Sequence, residues 1–148
     1  MSTPISVCVL IVVAGLVCVL ALVAPELLSN KNVFLFGFVG DGLLSVLGVI
    51  VTITLASAGQ LHLSLNQIEE KHQNKNSFVD TRTGIRRAAF ALIWLFVFSV
   101  ALVIFKPILA TNDWSQTLFN GTAILVVVWN VLILTALTEA VFALKPDL

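Results

Sequence analysis

The stretch VFLFGFVGDGLLSVLGVIVTITLASA, residues 33–58, decides the fold of this chain. It is almost entirely apolar, and it exceeds the roughly 20 residues that an α-helix needs to cross a hydrocarbon core. One carboxylate, that of Asp41, lies inside it between Gly40 and Gly42. Because an acid inside a membrane is rare and usually functional, this stretch bears on both the fold and the function of the protein.

The remainder of the chain contains three further apolar stretches of sufficient length. The 148 residues are 59% hydrophobic and 11% charged, with a mean hydropathy of +1.06, whereas soluble domains contain about 25% charged residues. Only helices satisfy all their backbone hydrogen bonds within one segment in lipid, so we expect an all-α integral membrane protein with a four-transmembrane-helix bundle. The single domain covers 1–148, with spans at 5–24, 33–58, 86–106 and 117–143.

The connectors between these spans differ in charge. Each short connector has one basic residue, Lys31 or Lys106, and the middle connector has most of the others. Basic residues accumulate in cytoplasmic loops, so this pattern predicts a cytoplasmic middle connector and cytoplasmic termini. We expect the membrane to be the plasma (inner) membrane of a bacterium. The basic residues on that side are Lys71, Lys75, Arg82, Arg86, Arg87 and Lys145.

The middle connector is itself predicted to be helical. Its apolar residues recur at intervals of three and four, as on one face of a helix, until NKNS at 74–77 breaks the pattern. We expect 59–85 to form a cytoplasmic helical hairpin, called the stalk below, that extends the second and third spans. The apolar residues should pack on the third helix near Ile85, on a second copy or on a partner protein. The candidate contact residues are Leu61, Leu65, Ile68, Arg82, Arg86 and Arg87.

Small and polar residues line one face of the predicted second helix. They recur at intervals of three or four residues, which places them on one side of the helix. Small residues let helix backbones approach closely and hydroxyl groups bond across helices, so this face should meet another helix or a water path. The set, called the stripe below, is Gly37, Asp41, Ser45, Gly48, Thr52, Ala56 and Gly59.

Asp41 is the strongest functional candidate in the sequence. It lies about 12 Å inside the predicted outer end of its span, where a carboxylate costs about 2.5–3.5 kcal/mol on insertion scales. One interpretation is an ion- or proton-handling group, or a ring of carboxylates in an oligomeric pore. The alternative is a structural link to another helix, for which the candidate partners are Ser99, Asn120 and Asn130.

Two polar residues of the predicted fourth span complete the candidate set. Asn130 lies near the middle of the span, where an amide either links helices or lines a polar path. Glu139 lies about one turn from the inner end, where it either borders a cytoplasmic mouth or extends to the interface.

Several classes of function are excluded by the residues present. Eight basic residues balance eight acids, so no nucleic-acid partner is expected. The chain has no catalytic or phosphate-binding motif, so we expect neither enzymatic activity nor a cofactor. The candidate metal ligands are His62, Glu69, Glu70 and His72. Their spacing does not bring both histidines and a carboxylate onto one helix face, so no metal site is expected.

Two functions fit this pattern. The first is a small homo-oligomeric membrane channel or pore-like effector, with a polar path lined by the second helix and with lipid and its own copies as partners. The alternative is a non-conducting membrane subunit that docks a cytosolic partner on 61–87, as in bacterial two-component phage-defence (antiviral) or toxin–immunity systems. A continuous central pathway past Asp41 would favour the channel, and tightly packed apolar interiors would favour docking.

Overall fold

Helices form nearly all of the described chain. The computed structural model describes residues 3–72 and 78–143, so the predicted turn at 74–77 and the basic Lys75 and Lys145 lie outside the described residues. The helices are α1 (Thr3–Val23), α2 (Pro25–Leu28), α3 (Val33–Gly37), α4 (Leu43–His72), α5 (Val79–Leu109) and α6 (Asp113–Ala143).

The described residues contain four helical stretches that are long and apolar enough to cross a membrane. They agree with the predicted all-α class and with the predicted number of spans. Their bounds are Ile5–Val23, Pro25–Glu70, Val79–Leu109 and Asp113–Ala140.

Helix α6 lies at the centre of the single chain. It packs against α1, α2, α4 and α5. Helix α1 lies at the periphery, and its large apolar side chains are mostly exposed, as for Ile11 (65%) and Leu22 (71%). The stripe also predicts that the second span is the buried centre of the protein. Within one chain α6 takes that position, and burial of the second span by other copies stays a prediction.

Two apolar clusters join α4, α5 and α6. One contains Leu43 and Leu47 of α4 with residues of α5 and α6, and the other contains Leu65, Leu92 and Leu137. Lipid is as apolar as these side chains, so close van der Waals packing, rather than transfer from water, stabilises such contacts inside a membrane.

The residues of the predicted stalk pack against each other within the chain. Leu61 and Leu65 of α4 are buried in one cluster with Ile85 of α5. Arg82 Nη2 of α5 donates a hydrogen bond to Glu69 Oε2 of α4 at 2.7 Å. The two helices contain 30 and 31 residues, and at about 1.5 Å per residue each exceeds the thickness of a hydrocarbon core. Projection of the stalk into the cytoplasm stays a prediction.

The first connector is fixed to the start of α6 by buried hydrogen bonds. Asn120 Nδ2 donates to the Leu28 carbonyl oxygen at 2.8 Å, and the single Thr117 hydroxyl hydrogen is shared between the Asp113 carbonyl oxygen at 2.8 Å and the Pro25 carbonyl oxygen at 3.0 Å. Both α6 side chains are buried. The Leu28 carbonyl group has no partner within such a short helix, so the Asn120 bond satisfies it, whereas the Pro25 carbonyl oxygen also accepts from the Ser29 N–H.

Helices α1 and α6 approach each other closely at Gly121. A Cβ atom at this position would lie only 2.8 Å from Val17 Cγ1. Gly121 is buried, so the missing side chain is what allows the two helices to meet. The close helix approach that the sequence predicts for the stripe is found here instead, within one chain.

Candidate functional site

The second span is interrupted at Phe38–Gly42. Val39 (φ -81°, ψ 67°) and Gly40 (φ -171°, ψ -126°) leave the helical region between α3 and α4. The Leu43 N–H donates to the carbonyl oxygens of Phe38 and Gly40 and therefore skips that of Val39. The continuous helix predicted for this span is wrong here, because the glycines on both sides of the acid favour helix poorly.

A lysine from α5 binds a carbonyl group at the break. Lys106 Nζ donates to the Val39 carbonyl oxygen at 3.1 Å, and the two residues are only 7% and 3% exposed. Among the described residues, no carboxylate lies within 4.0 Å of this ammonium group. Lys106 is in the last turn of α5, where the helix dipole also favours a cation. The sequence predicts Lys106 only as a connector residue.

Asp41 lies at the same break, on the outer surface of the chain. None of the described residues forms a hydrogen bond or an ion pair with its carboxylate. It precedes the start of α4 by two residues, so it lies near the positive end of that helix dipole. The break therefore separates a buried ammonium group from an exposed carboxylate.

The predicted partners of Asp41 bind other groups. Ser99 Oγ donates to the Leu95 carbonyl oxygen, and Asn130 Nδ2 donates to the Val126 carbonyl oxygen, each at 2.8 Å. The remaining candidate partner is the Asn120 amide, which binds α2. A structural link from Asp41 to these residues is therefore not formed within the chain.

The stripe faces outward from the single chain. On the opposite side of α4, Leu43, Leu47 and Leu65 are fully buried. Gly48 is half-buried, and a Cβ there would lie 3.8 Å from a carbon of Phe96, an ordinary contact distance. Contact of the stripe with other copies stays a prediction. Its exposed members are Gly37, Asp41, Ser45, Thr52, Ala56 and Gly59.

Three helices each contribute a buried polar side chain between the two apolar clusters. These are Thr54, Ser99 and Asn130, with 0–1% exposure. Asn130 Oδ1 has no hydrogen-bond partner among the described residues. Asn130 is thus inside the bundle and the stripe is outside, so the structure separates two parts of the predicted polar path. Glu139 is exposed near the end of α6.

The chemistry available at the break is that of one outward carboxylate beside non-helical backbone. Such a group can attract cations or water if water reaches it. Within 3–72 and 78–143, no three histidine, cysteine or acidic residues are grouped as metal ligands. No protein-family model matches this chain, and no curated protein and no solved structure is significantly similar to it.

Proposed function

We propose that this protein is a small homo-oligomeric membrane channel whose polar path is lined by the stripe. The observation that carries the proposal is the Asp41 carboxylate, which is exposed on a span and has no partner among the described residues. In lipid, a carboxylate at this depth costs about 2.5–3.5 kcal/mol. Copies arranged around an axis with their stripes inward would bring these carboxylates to shared water and remove most of that cost.

The surroundings of the stripe support an oligomer in which the stripes face the central axis. Val46, Val49 and Ile53 are exposed beside it and are suited to contacts with lipid or with neighbouring helices. Non-helical backbone at membrane depth is tolerated where it is buried or lines a water-filled cavity. On the side that faces the rest of the chain, the break is buried and bound by Lys106. On the side that faces away from the chain, the proposed path would supply the water.

The proposed path differs from the one that the sequence suggests. It contains Asp41, Ser45 and Thr52, and it leaves out Asn130, which is buried within each chain. Rings of carboxylates select cations in channels, so the proposed channel prefers cations.

The stalk supports the docking alternative less well. Leu61 and Leu65, the apolar residues that a cytosolic partner would cover, are already buried with Ile85 in the same chain. A partner from a phage-defence or toxin–immunity system would have to bind the charged surface of the stalk instead.

Cation flux into vesicles that contain the purified protein tests the proposal. Asp41→Asn is expected to lower the flux about tenfold while the oligomer keeps its size. A cation about 4 Å from a carboxylate gains about 1 kcal/mol even at the dielectric constant of water, and a ring of several exceeds the roughly 1.4 kcal/mol that corresponds to a factor of ten. Asp80→Asn is the matched control, because it removes an exposed carboxylate of α5 that is outside the stripe.

Two results would contradict the proposal. Wild-type flux no greater than that of empty vesicles would leave the docking subunit as the better function. Normal flux in Asp41→Asn, together with failed assembly of Asp41→Leu, would make Asp41 a link between copies rather than part of a path. Light scattering of the detergent-solubilised variants provides the oligomer size.

We also propose that the stalk and both termini are cytoplasmic in a bacterial cell. In a variant without Cys8 and Cys18, a single cysteine at Asn74 is expected to react in intact spheroplasts only with a membrane-permeant maleimide, because the basic connector stays inside. A single cysteine at Thr111, exposed in the opposite connector, should react with permeant and impermeant reagents alike. Labelling at position 74 by the impermeant reagent would mean that the true orientation is the reverse of the proposed one.

A further inference from the structure

A groove lies between α4 and α5 where the predicted stalk joins the spans. Its volume is about 730 Å³, within the range of about 300–1,000 Å³ that is usual for ligand sites. Apolar and basic side chains both line it, and the basic ones lie toward one end, where Leu63 and Ile85 also contribute to the lining. The apolar end includes Leu55, Ala58 and Ala89, and the basic end includes His62, Arg82 and Arg86.

The two ends of the groove lie at different depths along the helices. Leu55 to His62 on α4, and Ala89 to Arg82 on α5, each cover about 10 Å at about 1.5 Å per residue. The predicted span boundaries, at 58 and 86, fall between these ends. The apolar end is therefore at the level of the acyl chains and the basic end is at the level of the headgroups, which is the polarity of an amphiphile.

The basic end contains one guanidinium group that is fixed and one that is open to an anion. Arg82 is held by Glu69, with Nη2 and Oε2 2.7 Å apart. Arg86 is exposed, and its Cζ lies 5.7 Å from the centre of the Phe90 ring. Among the described residues, Arg86 has no carboxylate partner. A guanidinium group in this state suits a phosphate group, which it can bind through two parallel hydrogen bonds.

We infer that this groove binds an anionic phospholipid, with the phosphate group beside Arg86 and one acyl chain along Leu55 and Ala89. The matching polarity and charge favour a lipid over a soluble anion, since a soluble anion would leave the apolar end unoccupied. Basic pockets between membrane helices on the cytoplasmic side bind anionic headgroups in the same way. Gly59, at the inner end of the stripe, also lines the groove, but no other stripe residue does, and the inference does not depend on channel activity.

Native mass spectrometry of the full chain in detergent micelles tests the inference. The probes are short-chain phosphatidylglycerol and phosphatidylcholine of equal acyl length. Phosphatidylglycerol is expected to bind more tightly, and Arg86→Gln should weaken its binding about fivefold, the effect of one basic residue near an anionic headgroup. Arg86→Lys, which keeps the charge, should retain most of the affinity. The matched control is Arg87→Gln, which removes the same charge from an exposed residue outside the groove.

Each remaining outcome overturns the inference. Equal affinity for the two lipids would mean that the headgroup charge is not recognised. Equal losses of phosphatidylglycerol affinity in Arg86→Gln and Arg87→Gln would indicate general attraction of the lipid to a basic surface. Inorganic phosphate that competes as well as phosphatidylglycerol would indicate an anion site without a lipid. The comparison of the two lipids on the wild-type chain provides a result even if a variant fails to fold.

Discussion

Gly121→Leu is expected to separate α1 from α6 and to lower the free energy of unfolding by about 3 kcal/mol or more. Even a single Cβ atom would lie 2.8 Å from Val17 Cγ1, and valine has few rotamers with which to avoid it. The longer side chain therefore has to push the two helices apart. Unfolding of the purified protein in mixed micelles, followed by circular dichroism, measures the loss.

A matched glycine on α1 provides the control for this prediction. Gly15 is exposed, and a Cβ there meets no atom within 4 Å, so Gly15→Leu is expected not to lower the stability. A double-mutant cycle with Gly121→Ala and Val17→Ala should give a coupling energy of about 0.5–3 kcal/mol, because the second change removes the methyl group that the first one meets. Equal stability losses for the two leucine variants would disprove the close contact.

Lys106→Met is expected to lower the free energy of unfolding by about 1–3 kcal/mol, the cost of an unsatisfied buried hydrogen-bonding group. Methionine fills a similar length, but it cannot donate to the Val39 carbonyl oxygen, which lies 3.1 Å from Lys106 Nζ. The change also removes a cation from the negative end of the α5 dipole. The same unfolding experiment in mixed micelles measures this effect.

Lys31→Met is the control for loss of a lysine at the same end of the helix bundle. Lys31 Nζ lies 2.8 Å from Asp113 Oδ2, but the side chains are 55% and 49% exposed, and exposed ion pairs contribute only about 0–1 kcal/mol. Lys31→Met should therefore be clearly more stable than Lys106→Met. If Lys106→Met is as stable as the wild type, the break does not depend on the lysine.

The spans could be predicted because their signals are local. Hydropathy over about 20 residues is sufficient to find a membrane helix, and the spacing of Leu61, Leu65 and Ile68 indicated a packed face. Leu61 and Leu65 do lie in a buried cluster with Ile85. The orientation, the oligomer and the roles of the stripe stay predictions, because they depend on a membrane and on copies that a single chain does not contain.

The break and its lysine could not be predicted from the same signals. Gly40 and Gly42 beside Asp41 are compatible both with a closely packed neighbour and with a break in the helix, because glycine removes side-chain bulk and also weakens a helix. Lys106 lies at the end of an apolar run, where a basic residue ordinarily marks the interface. Its hydrogen bond joins residues 67 positions apart in the chain. Such a pairing depends on how α5 packs against the second span, which no periodicity in the sequence encodes.

The position of the break along the second span has a mechanical consequence. The break lies at one end of α4, and α4 then continues without interruption for 30 residues, a lever of about 45 Å. A rotation of about five degrees at the pivot displaces the tip of such a lever by about 4 Å. The ion pair between Arg82 and Glu69 couples α5 to the far part of this lever. A small change of angle beside Asp41 would thus be amplified at the far end of α4 and passed to α5 through this ion pair, and a force applied there would act on the break with the same leverage.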